Sequence, residues 1–216
     1  MQTATASEQM IEQQVRAWEV LDARVLEAMR KAPRELFVPQ SQRYRAYADA
    51  EVPLAHGQHM LRPSVAGRVL QALLPQPADK VLEIGAGSGY VTACLALLAA
   101  QVSSVELYPD LAETARANLA ALGVRNAEVL ETDALGMHGG PGYDAIAVTA
   151  ALPIYDARFE RMLAVGGRLF IVVGEAPAMD ARLVTRTGAD SWKTQSLFET
   201  VIDPLVNSVR PQEFTF

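Results

Sequence analysis

The sequence predicts a doubly wound α/β fold: a mainly parallel, seven-stranded sheet with an N-terminal helical extension. Three observations carry this. From Lys80 onward, short apolar runs alternate with helical stretches, the order that a parallel sheet with right-handed crossovers requires. Before Lys80, apolar residues recur at helical spacing. Between the two regimes, residues 81–90 read Val-Leu-Glu-Ile-Gly-Ala-Gly-Ser-Gly-Tyr, a buried strand, a glycine turn and a helix start in direct succession.

Each element has its own signal. Ser7 is placed to cap a helix carrying Met10, Ile11, Val15 and Trp18 on one face. Asp22 is placed to cap the next, with Val25, Leu26 and Met29 turned inward and Pro33 ending it. Residues 36–63 are rich in proline, glycine and aromatics without a period, and read as ordered loop. Pro63 and Ser64 open a third helix, with Val65, Val69, Leu70 and Leu73 inward, stopped by Pro75 and Pro77. Strands are predicted at residues 80–84, 102–106, 127–131, 145–149 and 168–173. A helix starts at Pro109 and Asp110, carries Leu111, Ala115, Leu119 and Leu122 as a stripe, and ends at Gly123. The β-rich runs 181–186 and 195–202 are read as antiparallel strands added to one edge.

Bulk properties narrow the class. The 216 residues suit one compact unit, and half of them are hydrophobic, enough for a large core. The net charge of -6 disfavours a phosphate backbone, so no nucleic-acid partner is expected. A lone cysteine, Cys94, cannot form an intrachain disulfide. No signal-peptide pattern opens the sequence, and its longest apolar run, residues 91–100, is too short to span a bilayer. A cytoplasmic protein off the membrane is expected. Three scattered histidines form no metal-ligand pattern, so no metal is expected. No feature sets an oligomeric state.

The glycine turn carries the chemistry. Gly85-x-Gly87-x-Gly89 is one residue tighter than the Gly-x-Gly-x-x-Gly of dinucleotide folds, and Glu83 precedes it. An anion there repels a pyrophosphate but attracts the ammonium of a methionyl group, which favours S-adenosylmethionine (AdoMet) over NAD. Glu106 ends the second strand, where a carboxylate can accept ribose hydroxyls. Asp133 follows the third strand, within reach of an adenine amino group. Each acid alone reads as a solvated strand-end or turn residue; their joint placement at one sheet edge favours a nucleoside site.

This set resembles the class I AdoMet-dependent methyltransferases, and the chain resembles the protein-L-isoaspartate O-methyltransferase family over almost its full length. Pro33-Arg34-Glu35-Leu36-Phe37-Val38-Pro39 is similar to the family's Pro-Arg-x-x-Phe-Val-Pro. Residues 57–63, Gly-Gln-His-Met-Leu-Arg-Pro, line up with its Gly-Gln-Thr-Ile-Ser-Gln-Pro. Tyr143-Asp144-Ala145-Ile146, Thr149-Ala150-Ala151 and Gly166-Gly167-Arg168-Leu169 extend the match. The resemblance implies residues 1–78 as helices and a substrate-side loop packed on an AdoMet-binding core, residues 79–216. It implies a cofactor site at Glu83, Gly85, Ala86, Gly87, Gly89, Glu106, Leu107, Asp133, Ala134 and Thr149, and a protein, peptide or small-molecule carboxylate as acceptor, as in the repair enzymes.

The acceptor loop departs from the family pattern. Leu61 stands where the family has Ser, His59 where it has Thr, and Arg62 where it has Gln. A leucine cannot hydrogen-bond a carboxylate, so weak or absent isoaspartyl activity is expected, raised by Leu61→Ser. A carboxylate acceptor is ionised at neutral pH and needs no base. His59 is the candidate base for a hydroxyl or amine acceptor, and Arg62 the candidate partner for an acceptor carboxylate. Two alternatives therefore stay open: a small-molecule O- or N-methyltransferase using His59, and a non-catalytic AdoMet-binding protein.

Overall fold

The computed structural model describes residues 2–139 and 142–210; the last six residues of the expected core lie outside it. One seven-stranded sheet dominates, with the spatial order β5-β4-β3-β6-β7-β8-β9. Its strands are β3 (Lys80–Ile84), β4 (Gln101–Glu106), β5 (Ala127–Glu131), β6 (Tyr143–Leu152), β7 (Leu163–Glu175), β8 (Ala178–Gly188) and β9 (Ser191–Thr200). Strands β5 to β7 run parallel, and β8 and β9 add to one edge antiparallel, as expected. Outside this sheet, β1 (Val52–Pro53) and β2 (His59–Met60) pair with each other inside the expected loop.

Period-two burial divides the core. Val81, Ala145, Ala147, Phe170 and Val172 face one side, packed under α3 (Pro63–Leu73), α4 (Tyr90–Ala96) and α5 (Pro109–Leu122). Leu82, Ile84, Ile146, Val148, Leu169 and Ile171 face the other. There the crossovers are thin: a single turn at Ala134–Gly136, and α6 (Arg158–Arg161), whose Phe159 fills the gap.

The N-terminal helices close the first side. Asp22 caps α2 (Ala23–Lys31), its carboxylate accepting from Arg24 N and Val25 N, and Val25, Leu26 and Met29 are buried. Gly67 lets α3 cross the N-terminal segment closely: a Cβ there would stand 2.8 Å from Val15 Cγ1. The Ser7 cap is not formed. The first helix, α1 (Gln2–Gln9), starts five residues earlier because no Pro or Gly interrupts it, and it runs on as a wider π turn over Met10–Val15. The last strand also starts earlier than residue 195, because the tight β8–β9 hairpin pairs from Ser191. Among the described residues, no helix is long and apolar enough to cross a membrane.

Candidate active site

Strands β3 and β6 are neighbours, yet the chain leaves them toward opposite edges of the sheet. That reversal opens a crevice at their carboxyl ends, where open α/β sheets bind ligands. The glycine turn lies there. Gly85, Gly87 and Gly89 all have positive φ (+94°, +53°, +84°). Thr149, at the matching point of β6, sets its Oγ1 2.8 Å from both Ile84 O and Gly85 O. A Cβ on Gly85 would meet that oxygen at 2.7 Å. Gly89 serves packing instead. It lies against Ala115 of α5, where a Cβ would stand 3.2 Å from backbone.

Three adjoining hollows ring the turn. The first, the mouth, is bounded by Glu51, His59, Leu61, Glu106, Thr149 and Asp203. The second, the floor, is bounded by Arg34, Leu61, Glu83, Ala86, Tyr90 and Thr149. The third is a slot between Leu107, Tyr108, Asp133, Ala134, Ala150 and Leu205. Gly85 lines all three.

On the floor, Glu83 is fully buried. Its Oε2 accepts from Thr92 Oγ1 and, at 2.7 Å, from Ser104 Oγ, while Oε1 has no partner. Burial pushes its carboxyl up to about 7; the two hydroxyls pull it back, and Glu106 adds to the rise. Arg34 is 1% exposed. Pro33 ends the preceding segment in extended backbone, and the turn Arg34–Leu36 then aims the guanidinium inward. It stands over the Tyr90 ring at 4.9 Å, with Phe37 edge-on to the same ring.

Glu106 organises the junction. Its Oε2 accepts from Gly87 N at 2.8 Å, and its Oε1 from Leu107 N and Tyr108 N at 2.9 and 3.1 Å. A carboxylate offers about four acceptor positions, so these donors leave one, on Oε2. In the slot, Asp133 Oδ1 caps the following turn through Leu135 N, and Oδ2 accepts from Asn207 Nδ2 at 2.9 Å.

At the mouth, His59 is paired. His59 Nδ1 lies 2.9 Å from Asp203 Oδ2. Asp203 arrives because the chain returns after β9 and bonds the end of β6: Ala151 N donates to Asp203 O, and Leu205 N to Ala151 O. Nearby, His56 Nε2 meets both Asp110 oxygens and its ring stacks on Tyr108 at 4.0 Å, tying the acceptor loop to the start of α5.

The chain is similar to known proteins. The family model for protein-L-isoaspartate(D-aspartate) O-methyltransferase fits residues 5–210. The chain belongs to this family. A protein-L-isoaspartate O-methyltransferase of Rhodopseudomonas palustris (strain HaA2) is 41% identical over 94% of this chain and 84% of its own length. One from Methanoculleus marisnigri is 46% identical over 84% of this chain and 83% of its own. Among solved structures, a Plasmodium falciparum beta-aspartate methyltransferase in complex with S-adenosyl-L-homocysteine superposes with a TM-score of 0.79, at 20% identity, over 92% of this chain and 97% of that one.

Within this isoaspartyl methyltransferase fold, most of the expected site residues converge. Glu83, Gly85, Ala86, Gly87, Glu106, Leu107, Asp133, Ala134 and Thr149 line the hollows, and His59 lines the mouth and floor. Arg62 does not join them. It caps α3 with an extended backbone ahead of Pro63, and its guanidinium lies 3.7 Å from Glu51. Gly89 supports the turn from behind. Arg34, Tyr90, Asp203 and Asn207 escaped sequence reasoning as site residues. For Arg34 a signal existed, the Pro-Arg-x-x-Phe-Val-Pro match; for Asp203 and Asn207, after the last strand, there was none.

Proposed function

We propose that this chain transfers a methyl group from AdoMet to the side-chain carboxylate of isoaspartyl residues in proteins or peptides. The observation that carries the reading is the sign of the groups around the glycine turn. Glu83 offers an unpaired buried oxygen, and Glu106 and Asp133 stand at the next two strand ends. Such a ring suits an ammonium, a ribose and an adenine amino group, and repels a pyrophosphate.

The assignments follow from position. Glu83 Oε1 takes the methionyl ammonium. Gly85, Ala86 and Gly87 give the backbone close approach, with Thr149 bracing the turn and Gly89 seating it on α5. A first ribose hydroxyl takes the open position on Glu106 Oε2; a second displaces Tyr108 N, the longest of the three contacts. Asp133 receives the adenine amino group between the apolar walls of Leu107, Ala134 and Leu205.

When bound, AdoMet supplies a methyl group already activated by its sulfonium. This chain's residues then align an ionised acceptor, exclude water and need to move no proton. His59 and Leu61 border the path by which an acceptor reaches the turn. The buried Cys94 thiol, pushed up to about 12 by burial, takes no part, and its inertness suits a reducing cytoplasmic setting.

The test is methyl transfer from labelled AdoMet to an isoaspartyl peptide beside its aspartyl twin. Label on the isoaspartyl peptide alone is the expected result; label on neither, with AdoMet bound, would remove the acceptor assignment.

A further inference from the structure

The floor holds more unpaired polar groups than the cofactor assignment uses. Arg34 Nη2 donates to Leu61 O at 2.7 Å, but its Nε and Nη1 have no partner. The Tyr90 hydroxyl has none, nor does Glu83 Oε1, and all three side chains are buried and line the same hollow. Burial works against the charge of Arg34, and the carboxylate that pulls on it, Asp49, is already engaged by Ser64 N and Ser64 Oγ at 3.0 and 2.9 Å. A buried guanidinium without an anion is costly, because no bulk water repays its lost hydration. Arg34 and Glu83 also do not neutralise each other, although they border one cavity. One cation with two free N–H donors and one anionic acceptor, held apart, fit a ligand that carries both opposite charges on one carbon.

We infer that Arg34 is the carboxylate anchor of the cofactor site: its Nε and Nη1 bind the α-carboxylate of the methionyl group, with the Tyr90 hydroxyl beside them, while Glu83 binds the ammonium. This rests on the AdoMet reading above and adds a residue and a selection rule to it. The Pro33–Pro39 segment then has a function beyond packing, since it delivers the guanidinium and wedges Phe37 behind Tyr90 so that the fork cannot swing away. The contact to Leu61 O also links the cofactor end to the acceptor loop, so filling the floor orders the residue that faces the acceptor.

Calorimetry with S-adenosylhomocysteine and with its decarboxylated analogue tests this on the intact protein. Wild type is expected to bind the analogue about tenfold to a hundredfold more weakly, the range for a charge-assisted fork. In Arg34→Gln the two ligands should bind within about threefold of each other, because only the carboxylate-bearing one loses a contact. Arg34→Lys keeps a point charge without the fork and should fall between; it also serves if the Gln variant fails to fold. Equal binding of both ligands by wild type overturns the inference, and so does wild-type discrimination that survives undiminished in Arg34→Gln or Arg34→Lys, which would mark Arg34 as a packing residue. Binding of neither ligand to wild type would overturn the AdoMet reading together with it.

Discussion

The floor and the mouth of the site lie on either side of Leu61, and their polar groups are in opposite conditions. On the floor, Glu83, Tyr90 and Arg34 are buried and each keeps an unsatisfied atom. At the mouth, His59 is paired with Asp203, and both are partly exposed. A protein satisfies its buried polar groups internally unless something else satisfies them, because each unpaired one costs about 1–3 kcal/mol. The floor is therefore built for a resident ligand of fixed charge pattern. At the mouth, the His59–Asp203 pair needs no ligand to complete it.

The largest expected effect breaks the junction between the two. Glu106→Ala strands three backbone N–H groups, those of Gly87, Leu107 and Tyr108. Hydrogen bonds to a charged group contribute roughly 1.5–3 kcal/mol each and do not add fully. Loss of about 3 kcal/mol of stability and of at least about a hundredfold in S-adenosylhomocysteine affinity is expected. Denaturant titration and calorimetry read the two separately. Unchanged affinity would show that Glu106 serves the turn and not the ribose.

The next effect sharpens the floor. Glu83 is raised to about 7 from an ordinary 4.5, chiefly by burial. Between those values the folded state holds a proton that the unfolded chain has lost, so this group's contribution to stability declines as pH rises through that window. An ammonium needs the ionised form. Cofactor affinity is therefore expected to weaken as pH falls below about 7, approaching tenfold per unit. Glu83→Gln should flatten that dependence, and a profile unchanged in the variant would detach Glu83 from the ammonium.

How far these residues could be read from sequence follows the same division. Glu83, Glu106, Asp133 and Thr149 were legible because each lies at or beside the carboxyl end of a predicted strand, so one topological rule places them together. Arg34 was visible as a motif but not as a site: a charged residue reads as solvated, and only the packing of Phe37 and Tyr90 reveals its burial. The His59–Asp203 pair was invisible as a pair, because it forms across nearly the whole chain when the segment after β9 returns to β6. Arg62 misled because its position before Pro63 sets an extended backbone that aims it at Glu51. Strands β3 and β5 have the predicted bounds, whereas β6 and β7 were predicted short: β6 runs on to Leu152, sustained by pairing with β7 that no local pattern reports.

A smaller effect is expected at the boundary itself. Leu61 borders both hollows, its carbonyl held by Arg34 and its side chain packed on the core. Leu61→Ser places a hydroxyl where the family has one and removes bulk from the path to the turn. A gain of about 1 kcal/mol, roughly fivefold in kcat/KM on an isoaspartyl peptide, is expected. Brisk wild-type turnover, unimproved by serine, would show that position 61 does not gate the acceptor.

The smallest effect is expected from the most suggestive pair. With Nδ1 held by Asp203, His59 keeps Nε2 as its free ring nitrogen, the arrangement of a general base. Yet a carboxylate acceptor has no proton to lose at neutral pH, and an exposed pair of this kind contributes only about 0.2–1 kcal/mol to holding the returning segment in place. His59→Gln and Asp203→Asn should therefore each lower kcat/KM on an isoaspartyl peptide by less than about threefold, through KM, and leave the pH profile above pH 7 unchanged. General-base removal has a different signature: a fall of about 10²–10⁴ in kcat, with the loss of a titrating limb. That result would mean that the acceptor in the productive complex carries a proton, and would move the chain from carboxylate methylation toward a hydroxyl or amine. The two outcomes differ by at least an order of magnitude, so one kinetic comparison at saturating AdoMet separates a mouth that only shapes the entrance from one that takes part in the chemistry.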